Sequence, residues 1–190
     1  TKMNEWHKRW GIGHLSPSSI NAWRDSPAYF AASYCFDLRS DGPAPAAWRG
    51  TAVEAGLNAF LHGAPAEESL QRAQDIFDLE AKGLVNDSVT KQRGLIPKFC
   101  EQAFLAVKEL QLPRPVATQL RVELWLEDFE VPVIGYIDNV FASDCLDLKT
   151  TERMPSTPTQ AHAMQVSLYA AARKEKTARL LYVTPAKYAG

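Results

Sequence analysis

The sequence predicts an α/β domain of the mixed α+β kind: a small mixed β-sheet flanked by helices and preceded by a mainly helical half. Three observations carry this. Apolar residues recur at helical spacing through residues 15–112. The texture turns β-rich after Pro113 and Pro115, over residues 116–184. Among these later residues a single helical stretch, 158–175, separates two apolar strands. Residues 1–14 read as an N-terminal tail, and the 190 residues read as one domain, long enough to bury a sizeable core.

Taken in order, "LSPSSINAWRDSPAYFAASY" begins a helix with Ser16 as cap and Pro17 in the first turn, and Ser26-Pro27 then interrupts it. "AAWRGTAVEAGLNAFLHG" is a second helix, with Val53, Leu57, Phe60 and Leu61 on one face and Gly63 at its end. "APAEESLQRAQDIFDLEAKG" is a third, again closed by glycine. The fourth, "SVTKQRGLIPKFCEQAFLAVKELQLP", is long, and Pro97 is expected to bend or divide it. "VATQLRVELWLED" and "VPVIGYIDNVFAS" have the β-branched and aromatic content of strands. "DCLDLKTT" is a short apolar strand behind a polar turn. "PTQAHAMQVSLYAAARKEK" returns to helix, and "ARLLYVTP" is a final buried strand.

Composition excludes more than it selects. The chain is 46% hydrophobic with a formal net charge of −1, which argues against a broadly basic nucleic-acid coat but not against a local basic groove. No apolar run reaches the length of a membrane span, and the N-terminal stretch does not read as a signal peptide. Cys35, Cys100 and Cys145 are widely spaced and form no CxxC pair, so neither a disulfide framework nor a zinc ribbon is expected, and a reducing cytoplasm is the simpler setting.

The chemistry concentrates in "VPVIGYIDNVFASDCLDLKTTE". Alternate residues of a strand share a face, so Asp147 and Lys149 project together while Leu146 and Leu148 enter the opposite layer. If the "ASD" turn closes a hairpin, Asp138 joins them from the neighbouring strand. Two carboxylates so close repel unless something cationic lies between them, and Mg²⁺ suits an all-oxygen set. The lysine could position or deprotonate a water, or steady charge on a phosphate. Asp147 to Lys149 alone reads equally as a structural ion pair; "EAK" at Glu80–Lys82 repeats the pattern on a helix surface.

The wider order of motifs resembles the PD-(D/E)XK nuclease superfamily, in its RecB-type branch. A G-x-x-D strand is present at Gly135 to Asp138, a D-x-K strand at Asp147 to Lys149, and a Q-x-x-x-Y helix at Gln165 to Tyr169. "LSPSSINAWRDSPAYFAASY" is similar to the branch's opening helix, and "RGTAVEAGL" to its G-T-x-x-H helix. The resemblance spans about residues 15 to 185. It implies a restriction-endonuclease-like core. It also implies catalytic roles for Lys149, Asp138, Asp147, Gln165 and Tyr169, and Mg²⁺ (or Mn²⁺) held by Asp138, Asp147 and the main-chain carbonyl of Leu148.

Two positions depart from the pattern. Glu54 stands where the branch carries histidine; it remains a hard oxygen donor and a candidate third ligand, or else a surface glutamate. Ser26 replaces the cysteine of iron–sulfur members, and three scattered cysteines cannot supply four thiolates, so no iron–sulfur cluster is expected. Gln165 and Tyr169 share a helical face, which reads either as an active-site wall or as a buried tyrosine with a glutamine at the rim.

Arg24, Arg49, Lys187 and Ser18 are candidate phosphate contacts, though scattered basic residues are usually just surface. Glu123 is a candidate extra acid. His162 reads either with the motif helix or with the surface histidines His7, His14 and His62. Trp6, Trp10, Trp23 and Trp48 are candidate base-stacking or core residues.

Taken together, the resemblance implies a Mg²⁺-dependent deoxyribonuclease, an exonuclease of phage or bacterial recombination or repair. Its partner would be DNA, with a recombination or single-strand-binding protein and an oligomer as further possibilities and no membrane. The alternatives are a catalytically inactive nucleic-acid-binding module of the same fold and an adaptor protein in which Asp147 and Lys149 form a buried ion pair.

Overall fold

A computed structural model describes residues 6–38, 44–127, 129–174 and 177–190, and its N-terminal half is helical. A short helix α1 (Trp6–Arg9) lies within the expected tail. Residues 1–5 of that tail, the ring of Trp6, and the end of the expected motif helix at 175 lie outside the described residues.

Helix α2 (Pro17–Asp25) starts where the sequence places it. Ser16 Oγ accepts from the Ser19 amide at 3.1 Å, and Ser19 Oγ accepts from the Ser16 amide at 2.8 Å. Ser26 ends it and caps α3 (Pro27–Phe30), which continues as a π-turn over Ala31–Cys35. Helices α4 (Pro45–Leu61), α5 (Ala66–Ala81) and α6 (Asp87–Glu109) then pack on one another. A β-carbon on Gly56 would stand 2.9 Å from the Ser69 carbonyl oxygen, so the absence of a side chain there lets α4 and α5 approach closely. Pro97 does not divide α6: the helix runs through it.

Among the described residues the sheet has five strands in chain order: β1 (Ala117–Leu124), β2 (Val133–Val140), β3 (Cys145–Thr150), β4 (Ala178–Val183) and β5 (Tyr188–Ala189). β1, β2 and β3 are antiparallel neighbours, β3 and β4 run parallel, and β5 returns antiparallel. The parallel step requires a crossover, supplied by α7 (Gln160–Arg173), whose first turn is capped by Thr159. The two-residue β5 is the strand the sequence did not announce.

The main core joins α4, α5 and α6 to one face of the sheet, through Val53, Leu57, Phe77, Ile96 and Phe99 against Leu146, Leu148, Leu181 and Val183. A smaller cluster of Ile137, Val140, Cys145 and Tyr169 holds α7 to the sheet. Leu146 and Leu148 are thus committed to the helical layer, which leaves the alternate residues Asp147 and Lys149 for the side of α7. Among the described residues no helix is long and apolar enough to cross a membrane.

Candidate active site

The site begins where a ladder opens. β2 and β3 pair only through Asn139↔Leu146 and Val140↔Cys145. Beyond them the Leu148 amide has no strand partner on that side and donates instead to Asp138 Oδ2 at 2.8 Å. A residue's N–H and C=O point to the same edge of a strand, so the Leu148 carbonyl faces this opening too.

Asp147, 1% exposed, lies beside it. Its Oδ1 accepts from Gln165 Nε2 at 3.1 Å, and its Oδ2 lies 2.6 Å from Lys149 Nζ in an ion pair that no well-angled hydrogen bond completes. Lys149 Nζ also donates to Gln165 Oε1 at 3.0 Å, and Gln165 Nε2 reaches the Tyr169 hydroxyl at 2.7 Å. Gln165 and Tyr169 therefore form one wall of the site, set by their four-residue spacing on α7. A β-carbon at Gly135 would sit 2.5 Å from the Tyr169 ring, so glycine is what lets that ring lie against β2.

Glu54 approaches from α4. Gln119 Nε2 donates a short hydrogen bond to Glu54 Oε1 and lies 3.5 Å from Asp138 Oδ1, so one amide bridges the two carboxylates. Gln119 stands opposite Asp138 in the β1–β2 register, between the pairs Thr118↔Asn139 and Leu120↔Ile137, with a left-handed φ of 50°. That backbone conformation is uncommon for a residue with a β-carbon. No sequence signal marked Gln119: a glutamine in a strand is ordinary, and its two partners are distant in the chain.

The electrostatics follow from this crowding. Burial pushes the Asp138 carboxyl up to about 8, with Glu54 and Asp147 adding to the rise and the Leu148 amide and Lys149 opposing it. Burial also raises Glu54, against the Gln119 hydrogen bond, and raises Asp147, against Lys149. Tyr169 is pushed up to about 12, again chiefly by burial. His162 is lowered by burial and by Lys149; its Nδ1 lies 2.7 Å from the Tyr182 hydroxyl.

Three carboxylates and a backbone carbonyl are a hard-oxygen donor set, the carboxyls raised by burial and, at Glu54 and Asp138, by repulsion among the acids as well. By chemistry the set fits a Mg²⁺-like ion. Among the described residues no three acidic, histidine or cysteine side chains already stand in ion-holding geometry. Gln119 lies between Glu54 and Asp138, and Lys149 lies on Asp147, so an ion would take over their contacts.

The remaining candidates fall elsewhere. Ser18 lines the groove of about 730 Å³ that opens beside Asp138, as do His14 and His162. Arg24 pairs with Asp25 at 2.8 Å on α2, outside the residues that line the groove. Arg49 has a setting the sequence did not suggest. It is 3% exposed, its guanidinium lies 4.3 Å over the Phe99 ring, and it donates to Gln92 Oε1 and, at 3.3 Å, to the Thr150 carbonyl. In this conformation it braces the end of β3 rather than facing a strand of nucleic acid.

Glu123 accepts from Arg121 and Trp125 rather than joining the carboxylates. Trp48 packs on Phe77 and Trp10 on Phe36, while Trp23 is exposed. His7 pairs with Glu130, and His62 Nδ1 meets the Asn58 carbonyl. Lys187 lies in the β4–β5 turn, where its carbonyl bonds Thr184.

The family model of the PD-(D/E)XK nuclease superfamily matches residues 14–189, and the chain belongs to that superfamily. The five-stranded mixed sheet with its flanking helices is accordingly a restriction-endonuclease-like fold. Among solved structures, SSO0001 aligns at 18% identity and TM-score 0.38, over 74% of this chain and 73% of that one. A "putative exonuclease" from Eubacterium rectale aligns at 12% identity and TM-score 0.49, over 96% and 70%. At these scores neither alignment adds to the family match. A search of curated proteins finds no match.

Proposed function

We propose that this nuclease-superfamily protein is a divalent-metal-dependent deoxyribonuclease. Asp138, Asp147, Glu54 and the Leu148 carbonyl are the ion's ligands in this reading, and Lys149 is the catalytic cation. One observation carries it: the buried Asp147 and the half-buried Glu54 and Asp138 converge with Lys149 and Gln165 at the edge of a groove. A bound Mg²⁺ or Mn²⁺ would supply charge neutralisation at the reacting phosphate and an acidified water.

The chain's own groups do the rest. Lys149, held between Asp147 and Gln165, has its ammonium aimed along the face where a phosphate oxygen or the attacking water would lie. Gln165 fixes that lysine, and Tyr169 fixes Gln165 through its hydroxyl. Water attack on phosphorus would release the 3′-oxygen as the leaving group. The exonucleolytic and recombination-or-repair aspects of the proposal, and any companion recombination or single-strand-binding protein, rest on the likeness to the RecB-type branch.

The test incubates the protein with end-labelled linear DNA and covalently closed circular DNA in Mg²⁺, Mn²⁺ or EDTA, beside Asp138→Ala, Asp147→Ala and Lys149→Ala. Metal-dependent loss of linear DNA alone, absent in all three variants, is the expected result. Cleavage of circles would replace exonuclease with endonuclease. Full activity in EDTA, or in the Lys149 variant, would overturn the assignment.

A further inference from the structure

The groove beside Asp138 continues along the β1–β2 hairpin, and what lines it there is not catalytic. Tyr136 is two residues before Asp138 on β2, so both project from one face. Arg121 is the direct cross-strand partner of Tyr136 and shares that face. Both line the groove, and Tyr136 is 53% exposed, an aromatic residue left uncovered beside the half-buried Asp138. Arg121 pairs at 3.0 Å with Glu123, whose other oxygen accepts from the exposed Trp125 indole at 2.8 Å. An exposed pair of this kind holds its arginine weakly, so the guanidinium is available to a phosphate.

We infer that Tyr136 and Arg121 form a nucleotide subsite for a single-stranded polynucleotide, Tyr136 stacking on the base next to the scissile phosphodiester and Arg121 holding the adjoining phosphate. The inference takes its location from the nuclease reading. Stacking selects the single strand. Inside a duplex both faces of a base are covered by its neighbours, so a base can lie over Tyr136 only when it is unstacked. A ring offering only its face suits any base, so the subsite selects strandedness rather than sequence.

The experiment measures affinity in EDTA, by fluorescence anisotropy, for a labelled 15-nucleotide oligothymidylate and a blunt 15-base-pair duplex. The proteins are the full wild-type chain, Tyr136→Phe, Tyr136→Ala and Arg121→Ala. Tyr136→Ala is expected to weaken single-strand binding by about five- to a hundredfold, with Tyr136→Phe within twofold of wild type. Arg121→Ala is expected to weaken it and flatten its salt dependence, and duplex binding stays within twofold throughout. Single-strand affinity unchanged in Tyr136→Ala, or lost equally for duplex, overturns the subsite. Wild-type cleavage of the same oligonucleotide in Mg²⁺ keeps the two readings apart. Cleavage with unaltered Tyr136→Ala affinity removes the subsite and leaves the nuclease. A ring-dependent affinity without cleavage leaves the subsite and removes the nuclease.

Discussion

The crowded carboxylates predict an unusual response of stability to pH. Asp138 titrates near 3.9 in an unfolded chain but is pushed up to about 8 in the fold. Between those values the native state holds a proton that the unfolded state has lost. The stabilisation is therefore complete at low pH and drains away as pH rises toward 8, by about 1.4 kcal/mol per pH unit. Glu54 and Asp147 are raised as well and act in the same direction. His162 acts oppositely, because its lowered pKa makes the protein more stable as pH rises, but only up to its unfolded value near 6.5. Asp78 and Glu152, both lowered, gain their effect in the acid range, below the window of interest.

From pH 6.5 to 8 Asp138 alone should thus remove about 2 kcal/mol, or roughly 4–8 °C of Tm in a domain of this size. The assay is a thermal melt in EDTA at half-unit pH steps, repeated with Mg²⁺ and Mn²⁺ and with Asp138→Asn. Wild type should lose Tm across the window. The variant should lose less and be the more stable protein at pH 8, since its neutral amide still accepts from Leu148. The ion-induced gain in wild type should grow with pH, because binding displaces the proton. A flat EDTA profile, or an Asp138→Asn profile parallel to wild type, would refute the reasoning.

Three further outcomes follow from particular contacts. Gln119→Ala keeps a β-carbon at the left-handed position and removes only the amide between Glu54 and Asp138. It should lower the EDTA Tm at pH 8 and enlarge the Tm gain on adding Mn²⁺; an unchanged gain would deny the amide its place on the ion's path. Gly135→Ala should cost about 1–3 kcal/mol through overpacking and cut cleavage further than stability, because Tyr169 must shift and carries Gln165 with it; melts and single-turnover rates read the two effects. Arg49→Lys should lower Tm while leaving oligonucleotide affinity within twofold, since a lysine cannot stack on Phe99 and reach both Gln92 and Thr150; a normal Tm with lost affinity would return Arg49 to the phosphate.

What the sequence disclosed was what depends on neighbours in the chain. Ser16-Pro17, the apolar face of residues 53–61 and the closing Gly63 are local signals, and they place α2 and α4 within a residue or two. The alternation of Leu146, Asp147, Leu148 and Lys149 is local too, and it placed the ion pair on its own side of β3. Contacts made across the fold left no such trace. Gln119 meets Glu54 across 65 residues of chain, a contact that only the packed fold creates. Arg49 has the charge of a surface residue, and its burial follows from Phe99, Gln92 and Thr150, which no spacing rule ties to it. Pro97 does not divide α6 for a related reason: packing of Ile96, Phe99 and Cys100 holds the helix through a residue that lacks its backbone hydrogen bond.

The opening between β2 and β3 links the fold to the proposed chemistry. Had the ladder continued, the Leu148 amide and carbonyl would both be spent on β2, and Asp138 would have no backbone donor. Because pairing stops at Asn139 and Leu146, the amide orients Asp138 and the carbonyl stays free at the same spot. The sheet surrenders a little pairing, and the acids carry a desolvation cost visible in their raised pKa values. Gln119 and Lys149 offset that cost only partially, since each neutral amide or single ammonium faces more than one carboxylate. A divalent ion supplies more charge than either, so in the proposed function the electrostatic strain of the acids is itself a source of ion affinity. Relieving it by Asp138→Asn should yield a sturdier protein that no longer responds to metal.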